Sequence, residues 1–303
     1  MSYSQSLSML LIPGIGSSTS IKILQSIEWK PNRYSDIEFK KFLKSSKFKK
    51  INEFEYYEKK ALKKINELSD KGIHILNYFE SDYPLFLKNI KNPPLNLYYK
   101  GNLNNFKKNN IAIIGSRKPS VLGSEKAFST SSFLAKNSYN IVSGLALGCD
   151  TEGHKGALSE NGKTLAVLPG SIDEIYPSSN TNLAEEILKN DGCLISEYLP
   201  GTKIINSNFI QRDRLQSAFS EFIVIIETKI DGGTMHTYNY AKEQKKIVSV
   251  FNFRENLSLL PTGNEHLINV ENVFSFNNEE DLLNYLKSQV KNNQNISKQE
   301  NLF

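Results

Sequence analysis

Cysteine, histidine and tryptophan are scarce in this chain of 303 residues, which carries two, four and one of them. Cys149 and Cys193 form no C-x-x-C pair, and no His/Cys cluster has metal-ligand spacing. That excludes a disulfide framework and a zinc site, and it leaves two buried thiols and no cofactor as the expectation. No run approaches the roughly 18 consecutive apolar residues of a membrane span. The apolar stretch from Leu7 to Ile12 lacks the basic flank of a signal peptide, so a cytoplasmic chain without membrane association is expected. Nucleotide signatures are missing as well. There is no G-x-x-x-x-G-K-[ST] loop and no G-x-S-x-G elbow. The turn after the strand at 111–115 reads Gly115-Ser116-Arg117-Lys118-Pro119 instead of G-x-G-x-x-G, and the strand at 140–143 ends in Ser143-Gly144 where a ribose-binding acid is required. Dinucleotide binding and phosphoryl transfer of the P-loop kind are thereby excluded.

What is present is a mildly basic balance, net charge +5, with 39% hydrophobic residues, enough for a packed core. The charge leans toward an anionic partner without identifying one. Up to about Phe79 the apolar residues fall at helical spacing, which predicts a small all-helical domain over 1–80. Inside it, Ile12-Pro13-Gly14-Ile15-Gly16 followed by Ser17-Ser18-Thr19 reads as a tight turn opening a helix. Such a turn is either purely structural or, as in helix-hairpin-helix modules, a presenter of amides to a DNA phosphate. Lysines crowd 40–64, at Lys40, Lys41, Lys44, Lys47, Lys49, Lys50, Lys59, Lys60, Lys63 and Lys64. Phe42, Leu43, Phe48, Ile51 and Phe54 between them supply a buried face, so the lysines read as one solvated face.

Pro84, Pro93 and Pro94 punctuate a connector that ends in the apolar strand Leu95 to Tyr99. From Ile111 strands and helices alternate, which predicts an α/β domain over 81–275: a Rossmann-like parallel sheet with helices on both faces. Strands are expected at 111–115, 140–143, 164–168, 193–196, 221–226 and 247–250. Helices are expected at 122–137, 152–161, 180–190, 207–219 and 234–245, with a last helix near 279–290 and a disordered polar tail from Lys291 completing 276–303.

Ligands of such sheets sit at the carboxyl ends of the strands. There the sequence places anion chemistry. Gly115 and Gly144 allow close backbone approach, Arg117 can grip a phosphate bidentately, and Gly233-Thr234 opens a helix toward an anion. Asp150 is expected to cap the following helix and Asn180 the one after it. Lys155 adds a point charge to the wall, whereas His154 serves packing or a hydrogen bond behind the site. Arg212 and Arg214 lie two apart, on different helix faces, so at most one reaches the pocket while the other pairs internally. Tyr176 either stacks on a base or covers the core edge.

The ordered series G-S-R (115–117), S-G-L-A-L-G-C-D-x-x-x-H-K-G-A-L (143–158), K-T-L-A-V-L-P-G (163–170), Y-P-x-x-N (176–180), S-E-Y-x-P-G (196–201), F-I-Q-R-D-R (209–214), G-G-T-M-H-T (232–237) and G-N-E-H-L-I (263–268) resembles the DNA-processing protein A family, also called Smf or DprA. The resemblance implies a non-enzymatic bacterial protein that binds single-stranded DNA during natural transformation, shields it and helps load the recombinase RecA, usually as a homodimer. Carried over by motif, the DNA-binding positions are Ser116, Arg117, Ser143, Gly144, Lys155, Arg212, Arg214, Gly233, Thr234 and Thr237. Asp213 departs from the family's asparagine and sets a carboxylate among groups meant for phosphate. The wider superfamily implies an alternative, a nucleotide sensor or a nucleoside monophosphate hydrolase. The glutamate of the hydrolase motif is missing after Asp231-Gly232-Gly233-Thr234.

Overall fold

The computed structural model describes residues 3–45, 54–253 and 260–300. Lys47, Phe48, Lys49, Lys50 and Ile51 lie outside the described residues, as do 301–303 of the polar tail. Four helices come first: α1 (Ser4–Leu11), α2 (Ser17–Ser26), α3 (Asp36–Ser45) and α4 (Phe54–Asp70). The expected turn separates α1 from α2, with Gly14 at φ +81°, a conformation that costs glycine little. These helices close on Trp29, Phe39, Leu43 and Phe54, all essentially without solvent contact. The Trp29 indole donates to Gln5 Oε1 at 2.8 Å, so its one polar atom is satisfied inside the apolar cluster. Lys41, Lys44, Lys59, Lys60 and Lys63 face solvent.

The sheet begins earlier than the sequence pattern indicates. Strand β1 (His74–Asn77) pairs antiparallel with β2 (Asn96–Gly101), which pairs antiparallel with β6 (Cys193–Ser196). A four-residue segment is too short to display a period of two, and it follows α4 directly, so it blends into the helical pattern. The helix α5 (Leu85–Lys88) lies between the first two strands. The parallel part comprises β3 (Asn110–Ile114), β4 (Asn140–Ser143), β5 (Thr164–Val167), β6, β7 (Phe222–Ile225), β8 (Ile247–Phe251) and β9 (Val273–Phe276). Spatial order is β1-β2-β6-β5-β4-β3-β7-β8-β9. Between them run α6 (Val121–Lys136), α7 (Cys149–Ser159), α8 (Thr181–Lys189), α9 (Asn206–Ala218), α10 (Thr234–Glu243) and α11 (Thr262–Ile268). Last comes α12 (Glu279–Glu300), which carries helix into the stretch expected to be a disordered tail. Extending a nucleated helix costs far less than starting one.

The central strands are buried on both faces, as their unbroken apolar runs require. In β3, Ile111 and Ile113 pack with Leu134 and Val224 on one face, while Ala112 and Ile114 pack with Ile223, Tyr238 and Leu267 on the other. Burying each such isoleucine contributes about 1.5–3 kcal/mol. The order β6-β5-β4-β3 runs outward from β3 in one direction and β7-β8-β9 in the other. The chain therefore changes direction across the sheet between β3 and β7. Loops leaving these two neighbours part to opposite faces and open a crevice at their carboxyl ends.

Candidate functional site

A cleft of about 490 Å³ occupies that crevice. Its walls come from the loop after β3 (Gly115, Ser116, Arg117), the loop after β7 (Thr228, Lys229, Gly232, Gly233), the first turn of α10, and one face of α9. The loop after β3 is held by main chain and by a carboxylate. Ser116 N donates to Glu227 O at 2.7 Å, and Ser120 donates to the Glu227 carboxylate from its amide at 3.0 Å and its hydroxyl at 2.6 Å. Glu227 therefore ties the two sides of the crevice together. Gly115 must lack a side chain because a Cβ there would stand 2.5 Å from Cys149 Sγ. Cys149 and Cys193 are both buried free thiols whose pKa values burial raises.

Arg117 reaches out from this loop, exposed, with its guanidinium 4.7 Å from the centre of the Phe209 ring. Tyr176 meets the same ring edge-on at 5.6 Å. An aromatic face backing an arginine holds the cation in place without neutralising it. Opposite, Lys229 is exposed on the loop after β7, with no acidic partner among the described residues. Gly233 and Thr234 start α10, whose first turn has no acidic residue and whose N-cap makes no side-chain hydrogen bond. The mouth of the cleft thus carries two cations and a helix N-terminus, all favourable to an anion.

The inner end differs. Phe209, Arg212, Asp213 and Gln216 follow i, i+3, i+4, i+7 spacing, so one stripe of α9 faces the cleft. Arg212 is 4% exposed and donates from Nη1 to Val167 O at 3.0 Å, with Asp150 Oδ2 4.0 Å away. Its Nε stands 3.1 Å from Asp213 Oδ1, an ion pair without the alignment of a hydrogen bond. Burial raises Asp213 to about 7, opposed by Arg212 and reinforced by Asp150. Asp150, also raised by burial and opposed by Arg212, accepts from the amides of Gly144 at 3.1 Å and Ala146 at 3.4 Å. Its carboxylate therefore organises the loop before α7, where capping of the helix itself was expected.

Of the residues singled out in the sequence, the structure brings Ser116, Arg117, Arg212, Gly233, Thr234 and Thr237 to the cleft. Gly144 borders a smaller cavity of about 60 Å³ beside it, where the Arg212 guanidinium fills the place of its absent side chain. Ser143 is fully buried and donates to Ile113 O at 2.7 Å. Lys155 stands on the exposed side of α7 and pairs with Glu152 at 2.9 Å, outside the cleft lining. Arg214 turns the other way and makes five hydrogen bonds, two of them to the Glu197 carboxylate at 2.8 and 2.6 Å and two to Asn92 O. One arginine of the pair faces the cleft and the other is paired internally, as their spacing requires. Asn180 does not cap α8 with its side chain. It donates instead to Leu145 O and Thr151 Oγ1, both at 2.9 Å, and braces the loop before α7. His154 is wholly buried, bonds Thr164 Oγ1 at 2.6 Å through Nδ1, and burial lowers its pKa to about 3. Lys229, Phe209 and Gln216 were not singled out. Phe209 and Gln216 flank Arg212 at helical spacing but in a stripe that is mostly polar, and Lys229 follows a strand end two residues ahead of Asp231-Gly232-Gly233.

The profile of the DNA recombination-mediator protein A family matches residues 74–287. Protein Smf of Borreliella burgdorferi is 43% identical over 155 residues, 51% of this chain and 49% of that protein, so the match spans about half of its length. The X-ray structure of DNA processing protein A from Streptococcus pneumoniae superposes with a TM-score of 0.74 at 27% identity, covering 93% of this chain and 95% of that one. DNA processing protein A from Helicobacter pylori, whose structure addresses its single-stranded DNA binding mode, gives a TM-score of 0.64 at 28% identity over 72% of this chain and 96% of that one. With two thirds of the sequence under one family profile and the same architecture in both solved relatives, this chain belongs to the DNA recombination-mediator protein A family.

Proposed function

We propose that this protein binds single-stranded DNA in the cleft between β3 and β7 and performs no bond-breaking chemistry there. The observation that carries the reading is the Arg117 guanidinium laid on Phe209 at the mouth, facing Lys229 and the glycine-fronted start of α10. Cations that track a backbone, beside rings on which bases stack, make a sequence-tolerant single-strand site. The two carboxylates of the cleft, Asp150 and Asp213, both face the Arg212 guanidinium. The likeness to the Helicobacter pylori protein supports the same reading. In the cell the protein would be cytoplasmic, a homodimer, shielding strands taken up in natural transformation and handing them to the recombinase RecA.

Fluorescence anisotropy of a labelled oligodeoxythymidine, titrated at several salt concentrations, tests the binding. Arg117→Ala is expected to weaken affinity about tenfold and to reduce the log–log salt slope by about 0.7, the share of one neutralised phosphate. Unchanged affinity and slope would reject the site. A cleft of about 490 Å³ also suits a single nucleotide. Release of free base from nucleoside monophosphates, with no affinity for strands, would favour that second reading.

A further inference from the structure

The inner end of the cleft has a chemistry unlike its mouth. Gln216 is 2% exposed, lines the cleft, and its amide nitrogen has no hydrogen-bond partner among the described residues. Buried side-chain donors are nearly always paired, so an orphan on a side chain that lines a cavity points to a partner that arrives from outside. Three residues before it, hence on the same helix face and about 5–6 Å away between Cβ atoms, is Asp213. Among the described residues Asp213 has one partner, Arg212 at 3.1 Å, and that contact engages a single carboxylate oxygen. An acid there does not suit a phosphate. Together with Gln216 it offers two adjacent acceptor oxygens and one adjustable amide donor, behind the ring of Phe209.

We propose that this inner end receives a nucleobase unstacked from the bound strand and reads it as guanine. Guanine alone among the four bases presents two neighbouring donors, N1–H and the N2 amino group, beside an acceptor, O6. The Asp213 carboxylate accepts from both donors, and the Gln216 amide donates to O6. Adenine and cytosine each set a lone pair against the carboxylate, and thymine offers one donor between two acceptors. A site built to bond a group discriminates strongly against an analogue that lacks it, because its own buried atoms are then left unpaired. Arg117 and Lys229 at the mouth hold the flanking phosphates without regard to sequence. The cleft is thus divided between backbone contact outside and base contact inside.

This inference rests on the proposed strand binding, and its test separates the two. Oligodeoxythymidines carrying guanine, adenine, cytosine or hypoxanthine at one central position are titrated by anisotropy against the wild-type protein. The guanine oligomer is expected to bind about tenfold tighter than the others, and hypoxanthine, which lacks only the N2 amino group, loses most of that advantage. Asp213→Asn removes the advantage and Gln216→Leu reduces it, whereas Arg117→Ala weakens every oligomer alike. Equal affinity for all four bases, with binding intact, overturns guanine reading alone. Failure to bind any oligomer overturns strand binding and this inference with it. If guanosine monophosphate displaces the oligomer as effectively as the oligomer itself does, the base belongs to a free nucleotide and the strand-base form is overturned.

Discussion

The guanidinium of Arg212 lies over the α-carbon of Gly144, in the space where any other residue would place its Cβ. The glycine after β4 is therefore required by a side chain of α9, and no ligand need approach it closely. Gly144→Ala must push Arg212 from Val167 O and away from Asp150, leaving that buried carboxylate without its cation. Removing one partner of a buried pair costs about 3–5 kcal/mol. Urea unfolding of Gly144→Ala is expected to show a loss in that range, and a loss within about 0.5 kcal/mol of zero would mean that the loop yields freely.

Arg214 and Arg117 should fail in opposite assays. The Arg214 side chain is saturated by Glu197, Asn92 and Gln211 and touches no part of the cleft between β3 and β7. Arg214→Ala leaves Glu197 unpaired and is expected to lower stability by about 3–5 kcal/mol. Arg117→Ala, an exposed change, stays within about 0.5 kcal/mol in unfolding and shows its effect on DNA affinity alone. A destabilised Arg117→Ala, or an Arg214→Ala as stable as wild type, would reverse these roles.

Much of the site is legible in the sequence, because an apolar strand ending in glycine and polar residues marks a carboxyl-end turn whatever the tertiary contacts. Arg117, Gly233 and Thr234 are found on that basis, and Thr237 through the family resemblance alone. Orientation about a helix axis is where spacing misleads. Lys155 follows Asp150 by five residues, which is about 140° around the helix, so the lysine leaves the cleft that the aspartate borders. Strands β1 and β9 escape notice because four residues at the margin of a sheet carry too little pattern. The stripe Phe209, Arg212, Asp213 and Gln216 is hidden for a different reason. Its polar residues are buried, and a hydrophobic pattern cannot reveal a helix face whose neighbour is a polar cleft.

Lys229 and Lys155 provide the next contrast. Lys229 stands at the mouth with no acidic partner among the described residues, whereas Lys155 is paired with Glu152 outside the cleft. Lys229→Ala is therefore expected to reduce the salt slope of oligodeoxythymidine binding by about 0.7, and Lys155→Ala to leave affinity and slope unchanged. A fall in slope on removing Lys155 would place the strand along the outer side of α7.

The pH response should isolate Asp213. Its folded pKa of about 7 lies above the ordinary carboxylate value of 3.8, because burial and Asp150 disfavour the charge more than Arg212 and Arg117 favour it. Lys229 on the loop after β7 and His236 on α10 also line the cleft it faces. A carboxyl that holds its proton more tightly when folded contributes stability at low pH, and that contribution is lost progressively as the pH rises from about 4 to about 7. Wild type should therefore lose thermal stability between about pH 4 and about pH 7 relative to Asp213→Asn, whose amide does not titrate. The same ionisation should act on binding with the opposite sign. The guanine advantage needs the charged carboxylate and should grow as the pH rises through about 7, while affinity for oligodeoxythymidine, which meets that charge as repulsion, declines. Melting curves and titrations of the two proteins at matched ionic strength measure both effects, and parallel profiles for wild type and Asp213→Asn would show that another group controls them.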